Sequence, residues 1–319
     1  MRLMRSAALA GYGELARSVG LDPLRMLAGE RLPAACLVDP EIRMPVNAFV
    51  RLLEASAQRG NAPDFGLRLA QARGLAILGP IGLLAREQPT LRAALGTFAH
   101  YIWAHNDALA LHIDDAGDIA IVRTSLDAPD AGPSRQAVEL LIAVLLRQIA
   151  GMVAPGWFPE AVLFSHAAPA DTRTHRRVLG VAPTFAAPLS GIVVTRADLD
   201  RPLAHADAGA AAQLEQYLAL WAGRHRDDPV AAVRDLILAL LPGGGAGIVH
   251  VAARLGVSRR TLHRRLAEHG TSFEAELAVL RLTLARSYFA EGGRSATEIA
   301  DLLGYSSLSA FSRWWRTHR

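Results

Sequence analysis

Three side chains near the C-terminus, Arg260, His263 and Arg264, have the types and spacing that suit contact with an anionic polymer. In Ser258-Arg259-Arg260-Thr261-Leu262-His263-Arg264-Arg265-Leu266 the leucines fall at i and i+4, the inward face of a helix. That leaves Arg260, His263 and Arg264 together on another face. An arginine can bond bidentately to O6 and N7 of guanine, at ~1–3 kcal/mol of discrimination, so this face suits the major groove of duplex DNA. The flanking Ser258, Arg259 and Arg265 suit phosphates, contacts that fix register without reading bases. Such a face on a solitary helix is most often merely solvated, so the surrounding pattern has to decide. Immediately upstream, Val251-Ala252-Ala253-Arg254-Leu255-Gly256-Val257-Ser258 supplies an apolar helix face, a turn glycine and a serine able to cap the next helix.

The arrangement recurs. Ile299-Ala300-Asp301-Leu302-Leu303-Gly304-Tyr305-Ser306 places its turn glycine 48 residues after Gly256. The helix expected over residues 307–318 uses Phe311 and Trp315 as its i, i+4 core pair and turns Ser309, Ser312 and Arg313 outward. Between the copies, residues 272–291 carry a continuous helical pattern that ends at Gly292-Gly293, and ~20 residues span ~30 Å. Adjacent major-groove faces recur every ~34 Å, so one such helix could hold both readers on successive turns of DNA. Ser295-Ala296-Thr297-Glu298 offers a capping box to the helix that follows. Residues 227–319 therefore read as an all-α DNA-binding domain, two helix-turn-helix units joined by a long linker helix.

Upstream, apolar periodicity predicts helices over residues 9–19, 46–58, 136–152, 171–179 and 208–224. Alternation over 109–113 and 119–125 predicts a hairpin closed by a five-residue loop at 114–118, and 161–165 and 191–195 read as further short strands. Residues 1–226 thus form an α+β domain for effector sensing or oligomerisation. The charged stretch 224–229, which ends in Pro229, marks the boundary, and a helix over 230–241 follows. The run from Pro242 to Gly247 is a connector, lacking the Gly-Lys-Ser/Thr ending of a phosphate-binding loop.

Composition agrees with this division. The 319 residues are 51% hydrophobic but only 6% aromatic, which favours helices. Every basic side chain is arginine. Residues 229–319 hold twelve of them against seven acidic residues, a net of +5, whereas the rest of the chain carries −1. The lone Cys36 excludes an intramolecular disulfide and any multi-cysteine metal site. No signal-peptide pattern opens the chain and no run of 18 apolar residues is present, so a cytoplasmic location without a membrane partner is expected. An enzyme would have to use His100, His105, Asn106 and Asp107, or His166, Asp171 and His175. Neither set has a catalytic or metal-binding spacing, so no catalytic residue, metal or cofactor is expected.

The stretches VAARLGVSRRTLHRRL, GTSFEAELAVLRLTLA and EIADLLGYSSLSAFSRWW resemble the DNA-binding domain of AraC/XylS transcriptional regulators over residues 249–315. That resemblance implies base contacts from Arg260, His263 and Arg264 in the first unit and from Ser309, Ser312 and Arg313 in the second. Upstream, GYGELARSVGLDP, MPVNAFVRLLEASA, LGPIGLLAREQPTLRAALGTFAHYI and HAAPADTRTHRRVLG are similar to the arabinose-binding-type regulatory domain of relatives such as ornithine-utilisation regulators. The expected partners are double-stranded DNA, a small-molecule effector, RNA polymerase and a second copy of the chain. The alternative is an N-terminal domain that only oligomerises. Within Tyr101-Ile102-Trp103-Ala104-His105-Asn106, the side chains Tyr101, Trp103, His105 and Asn106 are the candidate wall of an effector pocket. Family members continue past the second unit with a Gly-x-Ser-Pro segment. This sequence stops at Arg319, which predicts a weakened second unit with Trp315 in its core and Trp314 uncovered.

Overall fold

A helix that is apolar nearly all round has to be covered on every side, and in the N-terminal region that requirement makes Arg135–Val153 the central element. The structure is a computed structural model that describes residues 2–73, 75–227, 229–241, 244–255, 257–291 and 295–318. Expectations placed on Asp228, Pro242, Gly243, Gly256 and Gly292-Gly293 lie outside those residues. With a mean hydropathy of 1.6 over 18 residues, Arg135–Val153 is long and apolar enough to cross a membrane by length and composition, which the sequence reading did not register. Yet 61% of that window is buried inside the fold, and its polar members are used there. The amide oxygen of Gln136 accepts the Gly66 backbone N–H at 2.7 Å, while its nitrogen donates to the Pro63 carbonyl at 2.9 Å. The helix Phe65–Ala72 approaches so closely that a Cβ on Gly66 would lie 2.1 Å from the Gln136 carbonyl oxygen.

Around this axis run a small ribbon, β1 (Leu3–Arg5) with β2 (Arg43–Pro45), and a four-stranded antiparallel sheet. The sheet comprises β3 (Leu109–Ala116), β4 (Ile119–Leu126), β5 (Ala161–Leu163) and β6 (Gly191–Thr195), in the order β3-β4-β6-β5. Ala120, Val122 and Thr124 alternate inward along β4. The β3–β4 loop is shorter than expected: Ala116 pairs with Ile119, so only Gly117 and Asp118 turn the chain. Gly117, at φ 71°, supplies the positive φ such a two-residue turn needs. The aspartates assigned to the loop stay in the ladder because arginines hold them, Asp114 by Arg123 at 2.9 Å and Asp115 by Arg92 at 3.1 Å.

Short helices at Pro23–Gly29, Phe65–Ala72, Pro80–Arg86, Leu91–Tyr101 and Arg196–Asp200 fill out the N-terminal region. The helix Ala208–Asp227 runs through residues 224–227, where a charged break is expected from sequence. The next helix, Pro229–Leu240, opens on its proline, a position that needs no N–H.

Among its described residues the C-terminal region holds helices and no strand, with Ile248–Arg254, Arg259–Glu268, Phe273–Glu291, Ala296–Leu302 and Leu308–His318 following Pro229–Leu240. Its core joins Val233, Ile237, Leu262, Leu266, Tyr288, Ile299, Leu303 and Phe311, and the same apolar cluster takes in Leu3 of β1 and Ala34. The two regions therefore share buried surface where Pro229–Leu240 packs on the β1–β2 ribbon. There Arg43 of β2 pairs with Asp107 and stands 4.0 Å from Asp235.

Candidate nucleic-acid face and ligand cavity

The helix Arg259–Glu268 starts where Ser258 Oγ accepts the Thr261 backbone N–H at 3.1 Å. It is seated by fully buried Leu262 and Leu266. Arg259, Arg260, Arg264 and Arg265 are exposed and His263 is half-buried, so the structure brings the residues expected from sequence onto one accessible helix. Among the described residues the one ion pair on this face joins Arg264 to Glu268, one turn on at 3.6 Å, and an exposed pair of this kind restrains a guanidinium only weakly.

The second helix pair begins with the expected capping box: Glu298 N–H donates to Ser295 Oγ at 3.2 Å, and the Glu298 carboxylate accepts from the Ser295 N–H at 2.8 Å. Its turn needs glycine twice over, since Gly304 has φ 68° and a Cβ there would meet the Leu241 carbonyl oxygen at 2.7 Å. Phe311 is the buried anchor of Leu308–His318. Trp315 differs from its expected core position: it is half-buried, tilted against Phe289 with ring centroids 4.9 Å apart. Trp314 is equally covered, between Tyr305 at 5.6 Å and His318 at 4.9 Å, because the helix's last turn folds its own histidine over the indole. Ser309, Ser312 and Arg313 are exposed.

Two supporting side chains escaped the sequence reading. From the helix Phe273–Glu291, Arg281 donates to the Leu303 carbonyl at 3.0 Å and lies 4.3 Å over the Tyr305 ring. Burial pushes the Tyr305 hydroxyl above its ordinary range, and Arg281 opposes that shift. Glu276, nearly fully buried on the same helix, accepts from Arg234 and from Thr271 Oγ1, the latter at 2.6 Å. Both belong to a helix whose apolar residues are spread around its axis, and nothing in their spacing marks them.

In the N-terminal region a cavity of about 90 Å³ lies between Arg135–Val153, the β3–β4 hairpin and β1. Its wall is mainly aliphatic, with leucines 78, 109, 111, 126, 140, 141 and 145 prominent; Arg73, His105, Asn106, Thr124 and Gln148 are its polar members. Of the four side chains expected to form an effector wall, His105 and Asn106 line it. Tyr101 and Trp103 do not. Tyr101 is buried with its ring edge-on to His100 at 4.5 Å. Trp103 lines a separate cleft with Arg5, Glu41, Arg43 and Asp235, at the junction of the two regions. The single turn Ile102–Ala104 points Trp103 away from the cavity that His105 and Asn106 line, so neighbours in sequence part company.

The electrostatics of the cavity are unusual. Burial, with added repulsion from Arg5, Arg73 and Arg43, pulls the His105 imidazole down to about 3, which keeps it neutral at physiological pH. Burial alone pulls the Arg73 guanidinium down to about 9. Arg73 Nε and Nη2, His105 Nδ1 and Thr124 Oγ1 are buried polar atoms without a hydrogen-bond partner.

The histidine groups weighed as catalytic serve other contacts. His175 Nε2 bonds the buried Glu139 carboxylate at 2.9 Å, Asp171 is held by Arg173 at 2.6 Å, and Asp107 accepts from the Leu3 N–H at 3.3 Å. Among the described residues no group of three or more histidine, cysteine, aspartate or glutamate side chains comes together in a way that could hold a metal ion.

Comparison with known proteins adds to this geometry. Residues 20–203 match the profile of the arabinose-binding domain of AraC transcription regulators, N-terminal, and residues 251–319 match a helix-turn-helix domain. The HTH-type transcriptional regulator VirS of Mycobacterium tuberculosis is 33% identical over 98% of this chain and 92% of its own length. The ornithine utilization regulator of Pseudomonas aeruginosa is 28% identical over 95% and 90%. Among solved structures, the transcriptional regulator CdpR of Pseudomonas aeruginosa aligns with a TM-score of 0.47 at 22% identity, over 94% of this chain and 93% of that one.

Proposed function

Because the chain belongs to the AraC family of transcription regulators, we propose that residues 227–319 bind duplex DNA sequence-specifically, in adjacent major-groove segments, under the control of a small molecule held by residues 1–226. The observation that carries this reading is the exposed row Arg259, Arg260, Arg264 and Arg265, set on a capped helix whose Leu262 and Leu266 are locked into the core. Arg260, His263 and Arg264 read bases in the first helix-turn-helix unit and Ser309, Ser312 and Arg313 in the second, while Ser258, Arg259 and Arg265 hold phosphates. The 19-residue helix Phe273–Glu291 is the linker between the units. At about 28 Å it is close to one helical repeat of DNA. Arg281, midway along it, ties it to the turn of the second unit, and Glu276, near its start, ties it to Arg234 of Pro229–Leu240, so the linker is held in a fixed orientation.

Control of this module by the N-terminal region has a physical route. Met4 of β1 lines the cavity while its neighbour Leu3 is buried in the C-terminal cluster. Asn106, another wall residue, bridges to Met4, and the adjoining Asp107 is gripped by Arg43, which reaches toward Asp235. A ligand that shifts β1 or the 105–107 segment shifts the seat of Pro229–Leu240 as well. Two protomers on cytoplasmic promoter DNA, touching RNA polymerase, complete the reading.

Footprinting of the full chain on a selected site tests it. Protection in two blocks about 10 base pairs apart is expected. A single block contradicts the two-reader arrangement.

A further inference from the structure

We propose that the N-terminal cavity is a binding site for a small apolar monocarboxylate, whose carboxylate lies on the free edge of Arg73. This rests on the reading of residues 1–226 as a sensing region and names the chemical class of what is sensed.

The argument begins with an imbalance. A guanidinium is among the costliest groups to take out of water, and proteins normally bury it only with a paired anion. Arg73 is 7% exposed, and its Nε and Nη2 have no hydrogen-bond partner. Those two nitrogens form one edge of the planar fork, the edge that takes a carboxylate bidentately. The same fold shows that use elsewhere: Arg5 grips Glu41 through Nε and Nη2, and Arg173 grips Asp171 in the same way. Arg73 is therefore built like a half-made ion pair. His105 Nδ1 and Thr124 Oγ1 are two more unpartnered atoms on the wall of the same cavity, so the unmet hydrogen-bonding capacity converges on one space.

The rest of the wall selects the remainder of the ligand. Leu140, Leu141 and Leu145 offer no polar group, so the body attached to the carboxylate is hydrocarbon. A single guanidinium beside a neutral His105 balances one negative charge, which favours a monocarboxylate over a dianionic phosphate. An engineered cavity of ~150 Å³ accommodates the six carbons of benzene, so a space of about 90 Å³ suits a smaller body, about three to five carbons, the range that butyrate and hexanoate bracket. Much of the desolvation cost has already been met in folding, since Arg73 is buried before any ligand arrives.

The test is calorimetric titration of the full chain at pH 7 with butyrate and hexanoate, against 1-hexanol and hexylamine as matched neutral and cationic probes. The expected result is one site per chain, with hexanoate at least about tenfold tighter than hexanol and hexylamine not bound. Arg73→Met removes the preference for the acid over the alcohol, and Arg73→Lys retains part of it. The comparison of acid with alcohol on the unaltered chain decides the matter even if a variant fails to fold. Equal affinity for hexanoate and hexanol, no saturable binding of either acid, or an Arg73→Met variant that keeps the preference would overturn the proposal. DNA affinity measured on the same samples separates the two readings. Arg73-dependent hexanoate binding that leaves DNA affinity unmoved keeps the ligand class and removes the control by residues 1–226. Absence of acid binding removes the ligand class alone.

Discussion

In the C-terminal region Arg259, Arg260, Arg264 and Arg265 stand in solvent on one short helix, whereas in the N-terminal region Arg73 is buried against an apolar cavity with two nitrogens unpartnered. The residue type is the same and the physics is opposite. Exposed guanidinium groups cost the fold little and remain available to a large polyanion, whose binding strength depends on salt. A buried one weakens the fold until something pairs with it, which is the property a sensor needs. The surroundings differ accordingly. The exposed row rests on two leucines and a serine cap, while the cavity collects the unpartnered atoms of Arg73, His105 and Thr124.

This contrast can be broken by changing the packing on one side only. Phe311→Ala removes the buried anchor of Leu308–His318 and is expected to cost about 3–5 kcal/mol, read as an earlier unfolding transition of the C-terminal helices in urea. Unfolding of both regions together, by the same amount, would show that they are one cooperative unit and weaken the comparison.

On the other side the contrast is a matter of pH. The folded His105 titrates near 3 against 6.5 for the ordinary imidazole, so between those values the unfolded chain binds more protons. Its contribution is intact above pH 6.5 and is lost as pH falls toward 3, at up to about 1.4 kcal/mol per pH unit. His105→Gln should flatten that acid limb in denaturant titrations at pH 5 and pH 7. An unchanged slope would mean that the imidazole is not desolvated as described.

The smallest effect expected is at a helix end. Ser295→Ala dissolves the capping box and should cost about 1 kcal/mol, without altering affinity for DNA bases. A change in base preference would place Ser295 in the reading surface, contrary to its role as a cap.

The sequence reveals the two regions unequally for the same reason. Ser258 caps Thr261 three residues on, Leu262 and Leu266 share a face by being one turn apart, and Gly304 turns the chain at positive φ, so local spacing is enough to place them whatever they pack against. The cavity is assembled by long-range contacts: Arg73 follows the helix Phe65–Ala72, Thr124 comes from β4 and Leu141 from Arg135–Val153, and no local pattern joins them. Hence the hexapeptide 101–106 offers His105 and Asn106, which line the cavity, beside Tyr101 and Trp103, which do not, while Arg73 and Thr124 carry no local signal. The β3–β4 turn is shorter than the run of aspartates suggests because Arg123, across the hairpin, and Arg92, from the helix Leu91–Tyr101, hold Asp114 and Asp115 in the ladder.

The central claim is that the exposed arginines read bases. The most direct test is selection of bound sequences from a pool of random duplex DNA by the full chain and by Arg264→Ala, each at two salt concentrations. The account predicts a site with two major-groove segments, and an Arg264→Ala variant that relaxes one defined position by about 1–3 kcal/mol while the salt dependence of the rest persists. Binding that is salt-sensitive but independent of sequence in both proteins would contradict it.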